Sequence, residues 1–78
     1  MVYKRKENIM INPEIDKNGN KFWYNSQNQF HRDDGPAIEW ANGTKSWYIN
    51  GNLHREDGPA IEWINGGEAW YINGKRVI

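Results

Sequence analysis

The sequence predicts an all-β protein in which tandem antiparallel β-hairpins form a single twisted sheet. Three observations carry this prediction: a block that recurs after 23 residues, apolar residues at alternate positions, and Asn-Gly pairs between the alternating segments. Alternation with a period of two is typical of strands. Asn-Gly between such segments is the strongest short-range signal for a hairpin. A chain of 78 residues makes one domain at most.

The repeat is the clearest feature of the chain. Residues 31–40 recur as residues 54–63 with nine of ten positions identical, and each block opens with His-Arg and contains Asp-Gly-Pro-Ala. An Asn-Gly pair follows each block, and Trp-Tyr-Ile-Asn-Gly then occupies residues 47–51 and 70–74. Self-similarity at a fixed period is the sequence signature of a repeat architecture.

The ends of the array are degenerate. Residues 13–25 follow the order of the later copies with one residue missing, and Val77 and Ile78 stand where His54 and Arg55 stood. We therefore expect a β-repeat domain over residues 13–78, with about two and a half copies. Residues 1–12 form a separate N-terminal segment, and the apolar run Ile9-Met10-Ile11 makes this segment the candidate cap that repeat arrays require.

The turn chemistry predicts a register for each hairpin. If Asn42-Gly43 is the two-residue loop of a type I′ turn, Ile38 lies opposite Trp47. The same rule places Ile61 opposite Trp70. One face of the sheet then carries a Trp/Ile stripe, and the other carries Tyr, Ala, Glu and Ser. Because a single sheet has no other core, we expect the tryptophans of the stripe to be buried rather than to stack on nucleobases.

The segment 50–59 is either a third strand or a connection. An even number of antiparallel strands in each unit keeps all copies in one orientation, whereas an odd number inverts successive copies. Asp57-Gly58-Pro59 also disfavours a strand. We therefore expect a two-stranded unit with residues 50–59 as an ordered connection, and the three-stranded unit stays open as the alternative.

Composition excludes several classes of function. Ten basic and ten acidic residues cancel, which disfavours direct non-specific binding of nucleic acid. There is no cysteine, so disulfides and thiolate metal sites are excluded. No apolar run reaches the length of a membrane span, and the first residues lack the apolar region of a signal peptide. We expect a cytoplasmic protein with no membrane contact.

The repeated motif carries a family resemblance. The units resemble MORN-type hairpin repeats, and His-Arg-x-Asp-Gly-Pro-Ala at residues 31–37 and 54–60 is similar to repeats of small phage and bacterial proteins. This resemblance implies the β-hairpin repeat fold. It also implies a phage-encoded protein that acts in the cytoplasm of a host cell.

The candidate site is a ridge formed by the repeated motif. Arg32 and Arg55 either pair with Glu39 and Glu62 to hold the connection to the sheet, or form a ridge that grips an anionic partner. Carboxylates beside His31 and His54 match no zinc or calcium pattern, so we expect no metal and no cofactor. The candidate contact residues of the ridge are His31, Arg32, His54, Arg55, Tyr48 and Tyr71.

Three functions are compatible with this ridge. The first is a non-catalytic inhibitor of a host defence system, anti-CRISPR-like or similar, that acts by protein–protein contact on a host protein. The second is a sponge that sequesters a small anionic nucleotide signal, and the third is a structural or assembly module. No pairing of nucleophile and base is visible, so an enzyme is not expected. Because the sheet has open edges, we expect a homo-oligomer.

Overall fold

The computed structural model describes residues 12–78, which form ten short antiparallel strands and no helix. Each strand has two residues. In chain order they are β1 (Glu14–Ile15), β2 (Lys21–Phe22), β3 (Ile38–Glu39), β4 (Lys45–Ser46), β5 (Tyr48–Ile49), β6 (Asn52–Leu53), β7 (Ile61–Glu62), β8 (Glu68–Ala69), β9 (Tyr71–Ile72) and β10 (Lys75–Arg76).

The strands form one larger sheet and two small ones. The six-stranded sheet has the order β1-β2-β3-β4-β7-β8, while β5 pairs with β6 and β9 pairs with β10. In the first copy the second hairpin is reduced to a bridge between Tyr24 and Phe30. The all-β prediction of tandem antiparallel hairpins is confirmed. Two small sheets beside the six-stranded one replace the expected single sheet.

The predicted register is wrong by one residue. Ile38 lies opposite Ser46 and Ile61 opposite Ala69, instead of opposite Trp47 and Trp70. The reason is that each hairpin of the large sheet has a three-residue loop. A type I turn followed by a glycine in the left-handed region makes such a loop, and it shifts the pairing relative to a type I′ turn.

The second loop of the large sheet shows this geometry. The Trp40 amide donates to the Thr44 carbonyl oxygen at 2.9 Å, which closes the loop over residues 41–43. The Gly43 amide donates back to the Trp40 oxygen at 2.9 Å. Gly43 has φ of 100°, whereas Asn42 has no positive φ, so the type I′ turn expected here does not form.

The shift in register changes which side chains share a face, because a slip of one residue reverses every side chain of a strand. Trp40 and Trp63 line a groove together with Tyr48, whereas Trp47 lines a separate cleft with the motif residues. The predicted Trp/Ile stripe, with tyrosine on the opposite face, is therefore wrong. Trp40 stays 39% exposed and Trp63 stays 43% exposed, so these two indoles are not buried as expected.

Residues 50–59 are not a simple connection. Asn50 and Gly51 have φ of 48° and 84°, as a type I′ turn requires, and they join β5 to β6. Residues 54–59 alone remain as the connection between hairpins. Each full unit therefore contains two hairpins and four strands, in place of the two-stranded or three-stranded unit expected. Four is an even number, so the copies keep one orientation.

The core is thin and consists mainly of small residues. Ala37 and Ala60 are fully buried, and Ala69, Ile38 and Trp23 are also buried. Rings of the N-terminal half add a cluster, in which Phe30 lies 5.3 Å from both Tyr24 and Tyr48 between ring centroids. No helix in residues 12–78 is long and apolar enough to cross a membrane. The predicted cap lies outside the described residues, apart from Asn12.

Candidate binding surface

The first motif arginine is held by four groups at once. The Arg32 Nε donates to Asp34 at 3.0 Å, and Nη1 donates to the Pro36 carbonyl oxygen at 3.1 Å and to Glu39 at 3.2 Å. The guanidinium carbon lies 3.8 Å from the centroid of the Trp23 ring, a cation–π contact. Arg32 therefore ties the sheet, the motif loop and an indole together.

The second motif repeats this arrangement one unit later. Arg55 donates to Asp57 at 3.2 Å, to the Pro59 oxygen at 3.0 Å and to Glu62 at 2.9 Å. Its guanidinium carbon lies 3.8 Å from the Trp47 ring centroid. Each arginine side chain is only 22% exposed. The pairing of Arg with Glu that holds the connection to the sheet, one of the two sequence-based alternatives, is thus present within both copies.

The glycine of each motif leaves room for the arginine. A Cβ added to Gly35 would lie 2.9 Å from Cζ of Arg32, and one added to Gly58 would lie 2.8 Å from Cζ of Arg55. Any side chain at these positions would push the guanidinium off its indole. The Asp-Gly-Pro sequence therefore both turns the chain and leaves space for the arginine side chain.

Each motif histidine joins the motif loop to the second hairpin of the same copy. Nδ1 of His31 accepts the Asn50 amide at 2.9 Å, and Nε2 lies 3.0 Å from Asp33. Because Nδ1 accepts, Nε2 carries the ring proton and donates to the carboxylate. Both ring nitrogens are occupied, so the histidine does not act as a free base. In the second motif, Nδ1 of His54 accepts the Asn73 amide at 3.0 Å, and Nε2 of His54 lies 3.1 Å from Glu56.

Two consecutive motif loops line one cleft of about 560 Å³. Residues 32–35 and 54–57 contribute to it from neighbouring copies, and Trp47 and Ile49 line it between them. The cleft arises because equivalent loops of copies in one orientation lie side by side. The expected row of motif connections is therefore present along the molecule.

The charge that this cleft presents is acidic. The carboxylate side chains of Asp33, Asp34, Glu56 and Asp57 are 77%, 86%, 80% and 89% exposed, respectively. The two guanidiniums are much less exposed than these carboxylates, and they already pair with carboxylates. The groups that a partner meets first are therefore acceptors with negative charge, which disfavours the sequence-based idea of an arginine ridge that grips an anion.

The candidate contact residues are divided among different surfaces. Arg32, His54 and Arg55 line the cleft, whereas His31 lines a separate depression with Asn25 and Asn50. Tyr48 lies in the groove with Trp40 and Trp63, away from the motif cleft.

The hydroxyl of Tyr48 is less acidic than that of a free tyrosine. Burial raises the pKa of the Tyr48 hydroxyl above its ordinary value of 10.0, and the nearby Tyr71 raises it further. The neutral phenol is therefore favoured in the folded chain well above neutral pH. Tyr48 presents the groove with a hydroxyl that can donate a hydrogen bond.

The groove between Trp40 and Trp63 has a volume of about 580 Å³. Ser46 lies in it, opposite Ile61. In the preceding copy the position of Ser46 is taken by Phe22, whose ring lies 6.2 Å from Trp40 in a T-shaped contact. A small residue at position 46 therefore leaves open a space that an aromatic ring occupies one copy earlier. The replacement of Phe22 by Ser46 at this position is visible when the copies are aligned, but the open groove was not predicted from it.

Metal binding and known relatives complete the description of the site. Within residues 12–78, no three side chains of His, Asp or Glu converge in a way that could hold a metal ion. No family model matches the chain, and no curated protein or solved structure matches it either.

Proposed function

We propose that the chain is a non-catalytic binding protein that acts by protein–protein contact through the motif cleft. The observation that carries the proposal is the cleft itself, which two successive loops of the same internal geometry line together. The motif arginines and histidines fix the loops, and the four exposed carboxylates meet the partner. A non-catalytic role is supported by the motif histidines, because both nitrogens of each ring are engaged.

The partner in this proposal is a host protein with a basic surface. Complementary charge speeds the encounter of two proteins and fixes their register. With the resemblance of the motif to phage repeat proteins, this favours an inhibitor of a host defence system, encoded by a phage and acting in the host cytoplasm. A defence protein that binds nucleic acid needs a basic surface for the phosphate backbone, and an acidic cleft would cover such a surface.

Capture from a bacterial lysate tests the proposal. The tagged full chain is compared with Asp33→Lys/Glu56→Lys, which reverses two exposed charges of the cleft, and with Glu14→Lys, a charge reversal on strand β1 outside the cleft. We expect one basic protein to be recovered with the wild type and with Glu14→Lys, and to be lost with the double variant. Equal recovery with the double variant, or no specific protein with the wild type, contradicts the proposal.

A nucleotide sponge is the second candidate, and the groove between Trp40 and Trp63 favours it. Two partly exposed indoles can stack on a nucleobase, at about 1–3 kcal/mol for each base. Calorimetry with a panel of cyclic and linear nucleotides tests this candidate. Heat that disappears in Trp63→Ala but persists in Asp33→Lys/Glu56→Lys supports the sponge. No heat with any nucleotide removes it.

A further inference from the structure

Consecutive copies of the repeat are joined by strand pairing of one kind. β2 pairs with β3, and β4 pairs with β7, in the same antiparallel register. Each junction sets a lysine opposite a glutamate, Lys21 opposite Glu39 and Lys45 opposite Glu62. Opposite charges in directly facing positions stabilise a strand pair, and like charges destabilise it.

Strand β8 occupies the place of β2 and β4 in the last copy, but it is the edge of the six-stranded sheet. The amides of Trp23 and Trp47 donate to Ala37 and Ala60 of the next copy at 2.8 and 2.7 Å. The equivalent amide of Trp70 has no acceptor among residues 12–78. An edge with an unpaired amide is a template for the addition of another strand.

The charge of this edge differs from that of the internal junctions. Glu68 stands at the position of Lys21 and Lys45, and it lies opposite Glu62 within its own hairpin. The Glu62 carboxylate is already paired with Arg55 at 2.9 Å. No side chain of residues 12–78 pairs with the carboxylate of Glu68, which is exposed. A strand added to β8 is therefore stabilised by a basic residue opposite Glu68.

The indole of Trp70 strengthens this preference for a base. Trp23 and Trp47 each carry a guanidinium 3.8 Å from the ring centroid, whereas Trp70 carries none from the described chain. The cause is visible in the sequence, because Ile78 stands where the motif arginine would be. Residues two apart on a strand share a face. Glu68 of β8 and Trp70, which directly follows the strand, therefore offer a carboxylate beside a half-buried indole that no guanidinium of the described chain covers.

We propose that the β8 edge binds an extended basic segment of another protein by strand addition, with arginine opposite Glu68 and a second basic side chain close to Trp70. Backbone hydrogen bonds supply the affinity in this mode of recognition, and alternate side chains supply the specificity. A second copy of the chain fits less well. In the register of the internal junctions, strand β1 of the second copy would set Ile15 opposite Glu68. This site is separate from the motif cleft.

Two synthetic peptides test the proposal. Both are eight-residue acetylated and amidated strands of alternating threonine and charged residues, one with arginine and the other with glutamate. Heteronuclear NMR of the full chain follows the amide signals, and hydrogen exchange follows the Trp70 amide. We expect the arginine peptide to shift the signals of residues 68–70 and to protect the Trp70 amide. Glu68→Lys should reverse the preference, by about tenfold in the ratio of the two affinities.

Controls separate this site from the motif cleft. Asp33→Lys/Glu56→Lys keeps β8 intact and should bind the arginine peptide as the wild type does. Equal affinity for both peptides, shifts confined to residues 32–35 and 54–57, or no binding at millimolar concentration overturns the proposal. Concentration-dependent dimerisation through β8 that the arginine peptide does not reverse also overturns it, and this result would identify a second copy as the occupant.

Discussion

Two Asn-Gly turns in the same repeat have different structures. Asn42-Gly43 belongs to a three-residue loop in which only the glycine has a positive φ, whereas both residues of Asn50-Gly51 do. The side chain of Asn42 accepts the Thr44 amide at 2.9 Å, so the first loop has a hydrogen bond between two of its own residues. The amide of Asn50 donates to His31 of the motif that precedes it in the same copy, and the Gly51 amide donates to the Phe30 carbonyl oxygen of the preceding copy at 2.9 Å, so the second turn is stabilised by groups outside its own hairpin.

The difference shows what a turn dipeptide determines and what it does not. Asn-Gly correctly located both reversals of the chain, but the groups around it selected the turn type and therefore the register. A turn that depends on its own residues should tolerate changes elsewhere in the repeat. A turn that depends on the preceding motif should not.

The largest loss of stability is expected from removal of a motif arginine. Arg55→Ala leaves the Glu62 carboxylate without its partner and uncovers the Trp47 ring, whereas the backbone bond from the Arg55 amide to Tyr71 is kept. We expect the free energy of unfolding in urea to fall by about 2 kcal/mol. Arg55→Lys keeps the charge and should lose less. An unchanged midpoint for Arg55→Ala would mean that this arginine is not structural.

Removal of the histidine should distinguish the two turns directly. His31→Ala deletes the acceptor of the Asn50 amide, at a cost of about 1 kcal/mol. Hydrogen exchange of the Asn50 amide should then be faster, while exchange of the Thr44 amide in the first loop stays the same. His31→Asn is the matched control, because its side-chain oxygen can accept the bond again. Equal acceleration at both amides would contradict the comparison.

The asparagines themselves should respond unequally. Asn50→Ala removes the short polar side chain that lets asparagine tolerate a φ of 48°, and this left-handed conformation costs alanine about 1 kcal/mol. Asn42→Ala removes one partly buried hydrogen bond from a residue whose φ is not positive, and should cost about half as much. Thermal unfolding of the two variants, with Asn50→Gly as the control, measures the difference.

The smallest effect is expected in the loop of the first copy. A hydrogen bond from the Asn20 side chain lowers the pKa of Asp16 below its ordinary value of 3.8. Desolvation opposes this shift, and hydrogen bonds from the backbone amides of residues 18–20 add to the lowering. Asp16 therefore contributes stability above about pH 4, and the contribution is lost as the pH falls through the lowered pKa. Asp16→Asn should flatten the dependence of the unfolding midpoint on pH below about pH 4, where the wild type loses this contribution.

Local signals predicted the fold class but not the pairing within it. Alternation and Asn-Gly pairs indicated hairpins, and these signals act over a few residues. The register failed at Trp40 and Thr44, because a residue at the end of a strand and a residue in a loop look alike until the closing hydrogen bond is known. The hairpin over residues 48–53 was missed for a similar reason, since strands of two residues are too short to show a period.

The site was harder to predict because its contacts are distant in sequence. Nothing near Arg32 in the sequence indicates that its guanidinium stacks on Trp23, nine positions earlier. Nor does the sequence show that a side chain at position 35 would collide with this guanidinium. The pairing with Glu39 was one of the alternatives, since both residues recur at a fixed spacing. The N-terminal cap and the homo-oligomer stay predictions.

The links between copies have a consequence for the length of the molecule. The Ala41 amide donates to the Asn20 side chain at 2.7 Å, the Ile64 amide donates to the Thr44 hydroxyl at 3.1 Å, and Gly67 stands at the next equivalent position. Within residues 12–78, the middle unit, residues 31–53, is thus the only one that both gives and receives these links. Inserting a duplicate of it after Leu53 should lengthen the protein by four short strands in the same orientation, while the glycine ends the series. The number of copies can therefore be changed by inserting whole middle units into the chain.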